Sequence, residues 1–181
     1  MKIGLVRHFK VVSPYGNKKL SSFEFNERMN GYDIFPVKPN KLNINSAEWD
    51  ICYASTLSRA KTTAETIYNG EIILTPLIIE VPLFSFVRTN RKIHYMVWQI
   101  VGRIAWLFSH KSQIEGYSQT IQRINQFLED IKKSEHQNIL IVSHGFFMKV
   151  LVRELKRSGF KGHLDFSPKN GKLYLFENQV R

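Results

Sequence analysis

Hydrophobic residues along the chain follow two patterns, short apolar runs and longer stretches that repeat every three or four residues. A short apolar run is typical of a buried strand, and the longer spacing is typical of one side of an amphipathic helix. The runs predict strands over residues 3–6, 50–54, 71–74, 138–143 and 171–177. The periodic stretches predict helices over residues 22–30, 56–68, 93–108, 114–132 and 146–156. This alternation indicates an α/β protein, a three-layer α/β/α sandwich with a mainly parallel central sheet.

The predicted helix over residues 93–108 is the most apolar of these stretches. The residues at helical spacing are Ile93, Met96, Val97, Ile100, Val101, Ile104 and Phe108. We expect this stripe to face the core. A membrane span needs about 20 apolar residues, whereas the run from Tyr95 to Phe108 is shorter and contains Gln99 and Arg103. The sequence therefore predicts a buried helix and no membrane partner.

Two segments interrupt the alternation of strands and helices. Residues 11–46 are rich in Pro, Asn, Gly and Lys, and a second irregular segment follows Pro76. No linker divides the chain into halves. We therefore expect one domain over residues 1–181, with insertions around 11–46 and 76–111 that cover the active-site end of the sheet.

The composition is that of a folded, basic protein. The 181 residues are 43% hydrophobic, too apolar for a disordered chain, and 26 Lys and Arg against 15 Asp and Glu give a net charge of +11. Such a charge favours an anionic partner, namely a phosphorylated metabolite, a nucleic acid or an anionic membrane surface. The single cysteine, Cys52, excludes an intramolecular disulfide, and residues 3–6 are too short for a secretion signal. We therefore expect a cytoplasmic protein.

Polar residues that are common in active sites follow three of the predicted strands. Arg7 and His8 follow the first predicted strand, and His144 follows the strand predicted over residues 138–143. Ser55 follows the second strand, with Arg59 in the first turn of the next helix. Ligands bind at the carboxyl ends of strands in such sheets, so we expect these side chains to meet. One histidine alone is more often a surface or core residue than a functional one, so the argument depends on both histidines standing at strand ends.

Three motifs give the chain a resemblance to the histidine phosphatase superfamily, the phosphoglycerate-mutase-like proteins. Members carry Arg-His-Gly after the first strand, a Ser-x-Leu-x-Arg-Ala-x-x-Thr-Ala box, and Ser-His-Gly after a late strand. This chain has Arg7-His8-Phe9, the box from Ser55 to Ala64, and Ser143-His144-Gly145 in the same order. The resemblance implies a phosphoglycerate-mutase-like fold and phosphatase activity without a metal or cofactor.

The resemblance also implies a role for each matched residue. His8 would accept the phosphoryl group, His144 would assist catalysis, and Arg7, Ser55 and Arg59 would bind the transferred group. The chemistry of these side chains agrees with that assignment. A neutral imidazole is an effective covalent catalyst, and nearby guanidinium groups disfavour its protonation and bind phosphate oxygens in pairs.

Glu80 is the candidate proton donor for the leaving alkoxide. The family places an acidic residue after the third strand, and Glu80 stands there between apolar neighbours that favour a protonated carboxyl. A proton from this group predicts an activity optimum on the acidic side of neutral. The alternatives are that Glu71, Asp50 or Glu115 is the donor, or that no donor is used.

The chain departs from the family pattern beside His8 and after Glu80. Phe9 replaces the usual glycine, and residues 84–88 lack the usual glycine with aromatic and acidic neighbours. The second departure disfavours mutase activity on phosphoglycerate. We expect Phe9 to contribute to the pocket wall and Arg88 to bind substrate groups, with a solvated surface as the alternative for Arg88.

These observations predict a histidine phosphatase that hydrolyses a small phosphomonoester. The alternative is a catalytically weak or inactive family member that binds a phosphorylated ligand or protein, a hypothesis motivated by Phe9. A nucleic-acid-binding protein is the third possibility. The sequence contains no recognisable nucleic-acid-binding motif, and its basic residues are scattered over several segments. No specific nucleic-acid partner is therefore expected. The sequence determines neither the substrate nor the oligomeric state.

Overall fold

Every predicted strand and helix is present in the computed structural model, which describes residues 1–16, 18–42 and 44–178. The strands within these residues are β1 (Lys2–Arg7), β2 (Lys10–Val11), β3 (Lys19–Leu20), β4 (Val37–Lys38), β5 (Ile51–Ser55), β6 (Ile72–Thr75), β7 (Ile93–His94), β8 (Asn138–Ser143), β9 (Lys161–Gly162) and β10 (Leu173–Glu177). The α-helices are α1 (Ser22–Asn30), α2 (Ser58–Ile67), α3 (Tyr95–Leu107), α4 (Tyr117–Lys133) and α5 (Gly145–Arg157). Among the described residues, the prediction missed the two-residue strands and the 3-10 helices Gly31–Ile34, Ser46–Glu48 and Pro76–Ile78, which are too short to produce a pattern.

The main sheet has the strand order β6-β5-β8-β1-β10-β9. The neighbours β6, β5, β8 and β1 run parallel to one another, and β10 and β9 complete one edge in antiparallel pairing. The predicted mainly parallel sheet is therefore confirmed. In its centre, Arg7 at the end of β1 is in register with Ser143 at the end of β8.

Alternate side chains of the strands cover both faces of this sheet. On one face, Cys52 packs with Ala60 and Ala64 of α2, and burial raises the pKa of the Cys52 thiol to about 12. On the opposite face, the ring of Tyr53 meets that of Phe127 of α4 at 5.5 Å between centroids. The helices α2 and α4 therefore lie on opposite faces of the sheet, which is the layered arrangement that the sequence predicts.

The chain forms two compact units. The first comprises Met1–Val12, Pro36–Glu80 and Arg123–Arg181 and contains the main sheet, whereas the second comprises Ser13–Phe35 and Val81–Gln122. The second unit contains α1, α3 and the short antiparallel pair of β3 with β7. Its segments overlap the insertions expected at 11–46 and 76–111. That they belong to a single domain and cover the active-site end of the sheet stays a prediction.

Most of the apolar stripe that was expected to face the core lies on the exposed side of α3, whereas Ile93 packs against the core cluster as expected. The exposed apolar residues of this helix and its C-cap are Met96, Val97, Ile100, Ile104, Leu107 and Phe108. The buried side carries Trp98, Gly102 and Trp106. The prediction was wrong because α3 is apolar on both sides, and spacing alone does not show which side faces the core. No helix among the described residues is long and apolar enough to cross a membrane.

Candidate active site

The carboxyl ends of three neighbouring parallel strands bring the predicted site residues of the first unit together. His8 follows β1, Ser55 ends β5, and His144 stands between β8 and α5. Arg59 reaches the same place from the first turn of α2. All four side chains are buried. Because burying a polar group costs free energy unless it forms hydrogen bonds, each of them is expected to have a partner.

The imidazole of His8 is oriented by the backbone of the next residue. Its Nδ1 lies 2.7 Å from the carbonyl oxygen of Phe9, and because a carbonyl only accepts, Nδ1 must carry the proton. The lone pair of the neutral ring is therefore on Nε2. The backbone holds this segment in place, since the His8 amide donates to the Ser143 carbonyl at 2.9 Å and the Asn170 side chain donates to the His8 carbonyl at 2.7 Å.

The environment of His8 disfavours its protonated form. Burial is the main cause, and the guanidinium groups of Arg59 and Arg7 add to it, so that the pKa of His8 falls to about 3. The hydrogen bond to the Phe9 carbonyl acts in the opposite direction. The ring is therefore neutral at every pH at which enzymes are ordinarily studied, and Nε2 keeps its lone pair.

His144 is held in a defined tautomer between two partners. The Nε of Arg59 donates to Nδ1 of His144 at 3.1 Å, so Nδ1 is the acceptor and the proton of the neutral ring is on Nε2. That proton points to the Ser55 hydroxyl, 2.7 Å away. Burial, together with Arg59 and the other nearby imidazole, holds the pKa of His144 well below its usual value. The rings of His8 and His144 lie 5.1 Å apart, so the site contains two neutral imidazoles.

Arg7 approaches the backbone of Gly145 closely. A Cβ atom on Gly145 would lie 2.9 Å from Nε of Arg7. Contacts this short do not occur for real Cβ atoms, so any residue other than glycine at this position would displace the Arg7 side chain. The Nη1 of Arg7 donates to the Pro168 carbonyl at 2.8 Å. Its Nε is buried and makes no hydrogen bond to any described residue, which leaves a spare cationic donor beside the two histidines.

Glu80 lies against the start of α5, directly after His144. Its carboxylate oxygens accept the backbone amides of Phe146 at 3.3 Å and Phe147 at 2.9 Å. The N-cap residue of α5, His144, provides no side-chain cap of its own. Glu80 therefore satisfies the amides that the first turn of a helix leaves without partners, and this ties its position to that of His144.

Two of the other carboxylates considered as proton donors lie at the opposite edge of the sheet. Asp50 precedes β5 and accepts the amides of Gln137 and Asn138 at 2.7 and 2.8 Å, and Glu71 precedes β6. Both therefore stand at the amino edge of the parallel strands, opposite to His8. Glu115 belongs to the second unit and accepts the hydroxyl of Thr120. Glu80 is the candidate donor that the first unit places beside the histidines.

Comparison with known families decides the relationship of the chain. The model of the histidine phosphatase superfamily (branch 1) matches residues 42–179. The chain belongs to this superfamily. The matched range includes the box from Ser55 to Ala64 and the segment around His144, whereas His8 precedes it. The parallel pairing of β1 with β8 places His8 beside His144, which lies in the matched range.

Several relatives of this superfamily member are named as phosphatases. A protein of Hydrogenobacter thermophilus named "Putative phosphoserine phosphatase 2" is 28% identical over 91% of this chain and 85% of its own length. Among solved structures, a phosphoserine phosphatase mutant of Entamoeba histolytica in complex with phosphoserine has a TM-score of 0.60 at 21% identity, covering 97% of this chain and 90% of that one. The α-ribazole phosphatase of Shigella flexneri has a TM-score of 0.59 at 19% identity, covering 99% and 92%. These structures confirm the phosphoglycerate-mutase-like fold.

Two further predicted substrate-binding residues of this phosphatase-family chain are Phe9 in the first unit and Arg88 in the second. Phe9 is 1% exposed, and its ring packs in the apolar core with Val6 and Trp49. Arg88 is exposed in the second unit, where it lines a cavity of about 430 Å³ with Ser22, Phe23, Asn26, Thr89 and Asn90. Their roles in substrate binding stay predictions, and Phe9 has a structural role that the sequence did not indicate.

Three residues that support the site were missed. Thr63 accepts the Phe9 amide at 2.9 Å and donates to the Arg59 carbonyl at 2.7 Å, and its place inside the box from Ser55 to Ala64 was the available signal. Asn170 holds the His8 carbonyl. Arg123 of α4 donates to the carbonyls of Leu77 and Ile79 at 2.7 and 3.0 Å, just before Glu80. No sequence pattern marks the last two. No group of three or more metal-ligating side chains occurs among the described residues.

Proposed function

We propose that this chain is a metal-independent phosphatase that hydrolyses small phosphomonoesters through a phosphohistidine on His8. The observation that carries the proposal is the state of His8, whose Nδ1 proton is committed to the Phe9 carbonyl at 2.7 Å. Nε2 is thereby left as the nucleophilic atom. A buried histidine in an ordinary core has no need of two neighbouring guanidinium groups, whereas a phosphoryl acceptor does.

The proposed reaction has two steps. The Nε2 lone pair of His8 forms a bond to phosphorus while the ester P–O bond breaks, and Glu80 gives its proton to the departing oxygen. A water molecule then attacks the same phosphorus, the N–P bond breaks, and Glu80 takes the proton from that water. Inorganic phosphate leaves, and both residues return to their starting states.

The cations around His8 suit the charge that develops on the phosphoryl oxygens. Arg7 has a buried Nε–H without a hydrogen-bond partner among the described residues, and a buried unused donor is costly unless a ligand accepts it. Arg59 donates to His144, which in turn donates to Ser55. These groups supply fixed dipoles and charge at the site without any reorganisation during the reaction.

The expected substrate is a small phosphorylated metabolite rather than a nucleic acid. The relative from Hydrogenobacter thermophilus and the solved structure from Entamoeba histolytica are named as phosphoserine phosphatases, which makes phosphoserine the first compound to test. The altered segment after Glu80 disfavours mutase activity. A reduced, cytoplasmic setting agrees with the buried thiol of Cys52 and stays a prediction.

The alternative of an inactive binding protein was motivated by Phe9. Its burial among core residues means that the larger side chain replaces glycine by filling the apolar interior, so it gives no specific reason for lost activity. We expect Phe9→Ala to reduce the free energy of unfolding by about 3–5 kcal/mol, with kcat/KM of the folded protein within threefold of the wild type. Urea denaturation and steady-state kinetics measure the two effects separately.

The experiment that tests the function compares the wild type with His8→Ala in an excess of chelator. Hydrolysis of an aryl phosphate and of phosphoserine is followed between about pH 5 and 8, and rapid alkaline quenching captures labelled phosphate on the protein. His163→Ala is the matched control, because His163 is an exposed histidine of the same unit. We expect chelator-resistant hydrolysis and a labelled protein for the wild type and the control, and neither for His8→Ala.

Other outcomes would count against the proposal. Turnover that persists in His8→Ala would exclude His8 as the phosphoryl acceptor. Turnover that the chelator abolishes would exclude a metal-independent reaction. A wild-type protein that binds phosphoserine without hydrolysing either substrate or acquiring label would favour the binding role.

A further inference from the structure

The inner side of α3 is fixed in the second unit by specific contacts. The indole of Trp98 donates to the Leu20 carbonyl at 2.9 Å and stacks on Phe25 at 5.6 Å between centroids. The indole of Trp106 donates to the hydroxyl of Thr120 at 3.0 Å. Between them, Gly102 has no room for a Cβ atom, which would lie 2.7 Å from Leu83. The helix therefore has one defined orientation and does not rotate to bury its other side.

The outer side of α3 is apolar along its whole length. It carries Met96, Val97, Ile100, Ile104, Leu107 and Phe108, with exposed fractions from 42% to 77%. A helix of 13 residues is about 20 Å long, so these side chains form a continuous apolar patch along one side of it. A patch of this kind on a folded protein marks an interaction surface.

The segment that carries this patch is basic, although Glu24 lies beside it at Lys92 and Glu115 follows it. Residues 81–114 contain five Lys and Arg and no Asp or Glu. The exposed Arg91 precedes α3, and the exposed Lys111 follows it, so that cations bracket both ends of the apolar face. Lys92 pairs with Glu24 at 3.5 Å, and we therefore assign the attractive charge to Arg91 and Lys111.

This combination decides between the possible occupants of the face. A second copy of the chain would bring the same unbalanced cations together, which is unfavourable. The patch is aliphatic apart from Phe108, whereas the energetically dominant residues of protein interfaces are mostly Trp, Tyr and Arg. An apolar helix face bracketed by cations is the pattern of a helix that lies in the surface of an anionic bilayer.

We propose that the outer face of α3 docks on an anionic lipid surface, with its aliphatic side chains in the boundary of the bilayer and Arg91 and Lys111 at the headgroups. The helix lies on the membrane and does not cross it, in agreement with its length. The expectation of no membrane partner rested on the run from Tyr95 to Phe108 being too short to span a bilayer, on Gln99 and Arg103 within it, and on a stripe that faces the core. The inference depends on the second unit alone and does not require the proposed phosphatase reaction.

The test is flotation of the full chain with two kinds of vesicle, phosphatidylcholine alone and phosphatidylcholine mixed with phosphatidylglycerol. We expect the wild type to float with the mixed vesicles only. Ile100→Gln with Ile104→Gln should lower the bound fraction at least about tenfold, since two aliphatic side chains are lost from the boundary. Arg91→Gln and Lys111→Gln should each lower it about fivefold on the mixed vesicles. Ile34→Gln is the control, because Ile34 is an exposed isoleucine of the same unit that lies outside α3.

Circular dichroism and thermal unfolding establish that each variant is folded, and sedimentation velocity measures self-association in the absence of lipid. Equal binding to neutral vesicles would overturn the role of the cations. Equal binding by the double variant and the wild type would overturn the role of α3. A wild type that ignores both vesicles would overturn the proposal, and a dimer lost in the double variant would then assign the face to a second copy.

Discussion

The carboxyl edge of the main sheet and the outer face of α3 depart in opposite ways from the usual distribution of polar and apolar groups. At the sheet edge, His8, Arg59 and His144 are buried although they are polar or charged. On α3, residues such as Ile100 and Ile104 are about half exposed although they are aliphatic. Places where a sequence gives up favourable burial or solvation are expected to be functional sites. The buried edge fits chemistry on a small anion, and the exposed face fits contact with a large apolar surface.

The two regions also differ in whether their side chains have interaction partners within the chain. The buried edge is a closed network, in which Arg59 donates to His144 and His144 donates to Ser55. The outer face of α3 has no corresponding partners for its apolar groups among the described residues, since they remain exposed. A variant at the edge should therefore affect several residues together, whereas a variant on the face should act alone.

Among variants that keep His8, the largest effect is expected when the network at the edge is broken at Arg59. In Arg59→Lys the charge remains, but the planar donor that fixes Nδ1 of His144 as an acceptor is lost. We expect kcat/KM to fall by a factor of about 10²–10³. Steady-state hydrolysis measures this, with Lys61→Met as the control on the exposed side of the same helix. A fall of less than threefold would mean that the tautomer of His144 has no bearing on the reaction.

The next effect is a dependence of stability on pH that comes from the buried His8. Its pKa is about 3 in the folded chain and 6.5 in the unfolded chain, so between these values the unfolded chain binds more protons. The stabilising contribution is complete above pH 6.5 and is lost as the pH falls toward 3. The slope should be at most about 1.4 kcal/mol per pH unit for this one group.

Urea denaturation at several values between pH 6.5 and 4.5 measures this slope. The free energy of unfolding of His8→Asn should depend less on pH than that of the wild type, because the titrating group is removed. His163→Asn, at an exposed position, should keep the wild-type slope. Parallel curves for the wild type and His8→Asn would show that His8 is accessible to protons in the folded state. The same low pKa predicts that kcat/KM loses nothing to His8 protonation between about pH 8 and 5.

The sequence predicted the sheet edge better than the face of α3, and the reason is physical. His8, Ser55 and His144 directly follow strands, and parallel strands that pair must end at the same edge. For α3, the spacing of Ile100 and Ile104 fits a buried stripe and an exposed stripe equally well. The orientation was decided by Trp98 and Trp106, which form hydrogen bonds and stacking contacts with distant segments. Such contacts are not visible in a local pattern.

Within the edge itself, the sequence indicated which residues meet but not how they are oriented. The proton positions on the two histidines follow from the Phe9 carbonyl and from Nε of Arg59, and backbone direction is not encoded in residue type alone. For Phe9 a contribution to the pocket wall stays a prediction, and the sequence did not indicate that its ring packs in the core. Successive side chains at the end of a strand point to opposite sides, so the residue after His8 was free to turn inward.

A smaller effect is expected from Gly145→Ala. The new Cβ would lie 2.9 Å from Nε of Arg7, so the guanidinium must shift while α5 itself tolerates alanine. We expect kcat/KM to fall about tenfold through the misplaced cation, with little change in the free energy of unfolding. Gly16→Ala is the matched control, since nothing lies within 4 Å of its added Cβ. If both alanine variants are fully active, Arg7 does not need its present position.

The smallest effect is expected on the outer face of α3 in the absence of lipid. Ile104 is 49% exposed, so Ile104→Gln should change the free energy of unfolding by less than about 0.5 kcal/mol. On the inner side, Gly102→Ala would place a Cβ atom 2.7 Å from Leu83 and 3.2 Å from the Phe84 carbonyl, and should cost about 1–3 kcal/mol. Urea denaturation of the two variants compares the two sides of one helix. A loss in Ile104→Gln as large as that in Gly102→Ala would show that the outer side is packed in solution, and the face would then be occupied before any membrane is present.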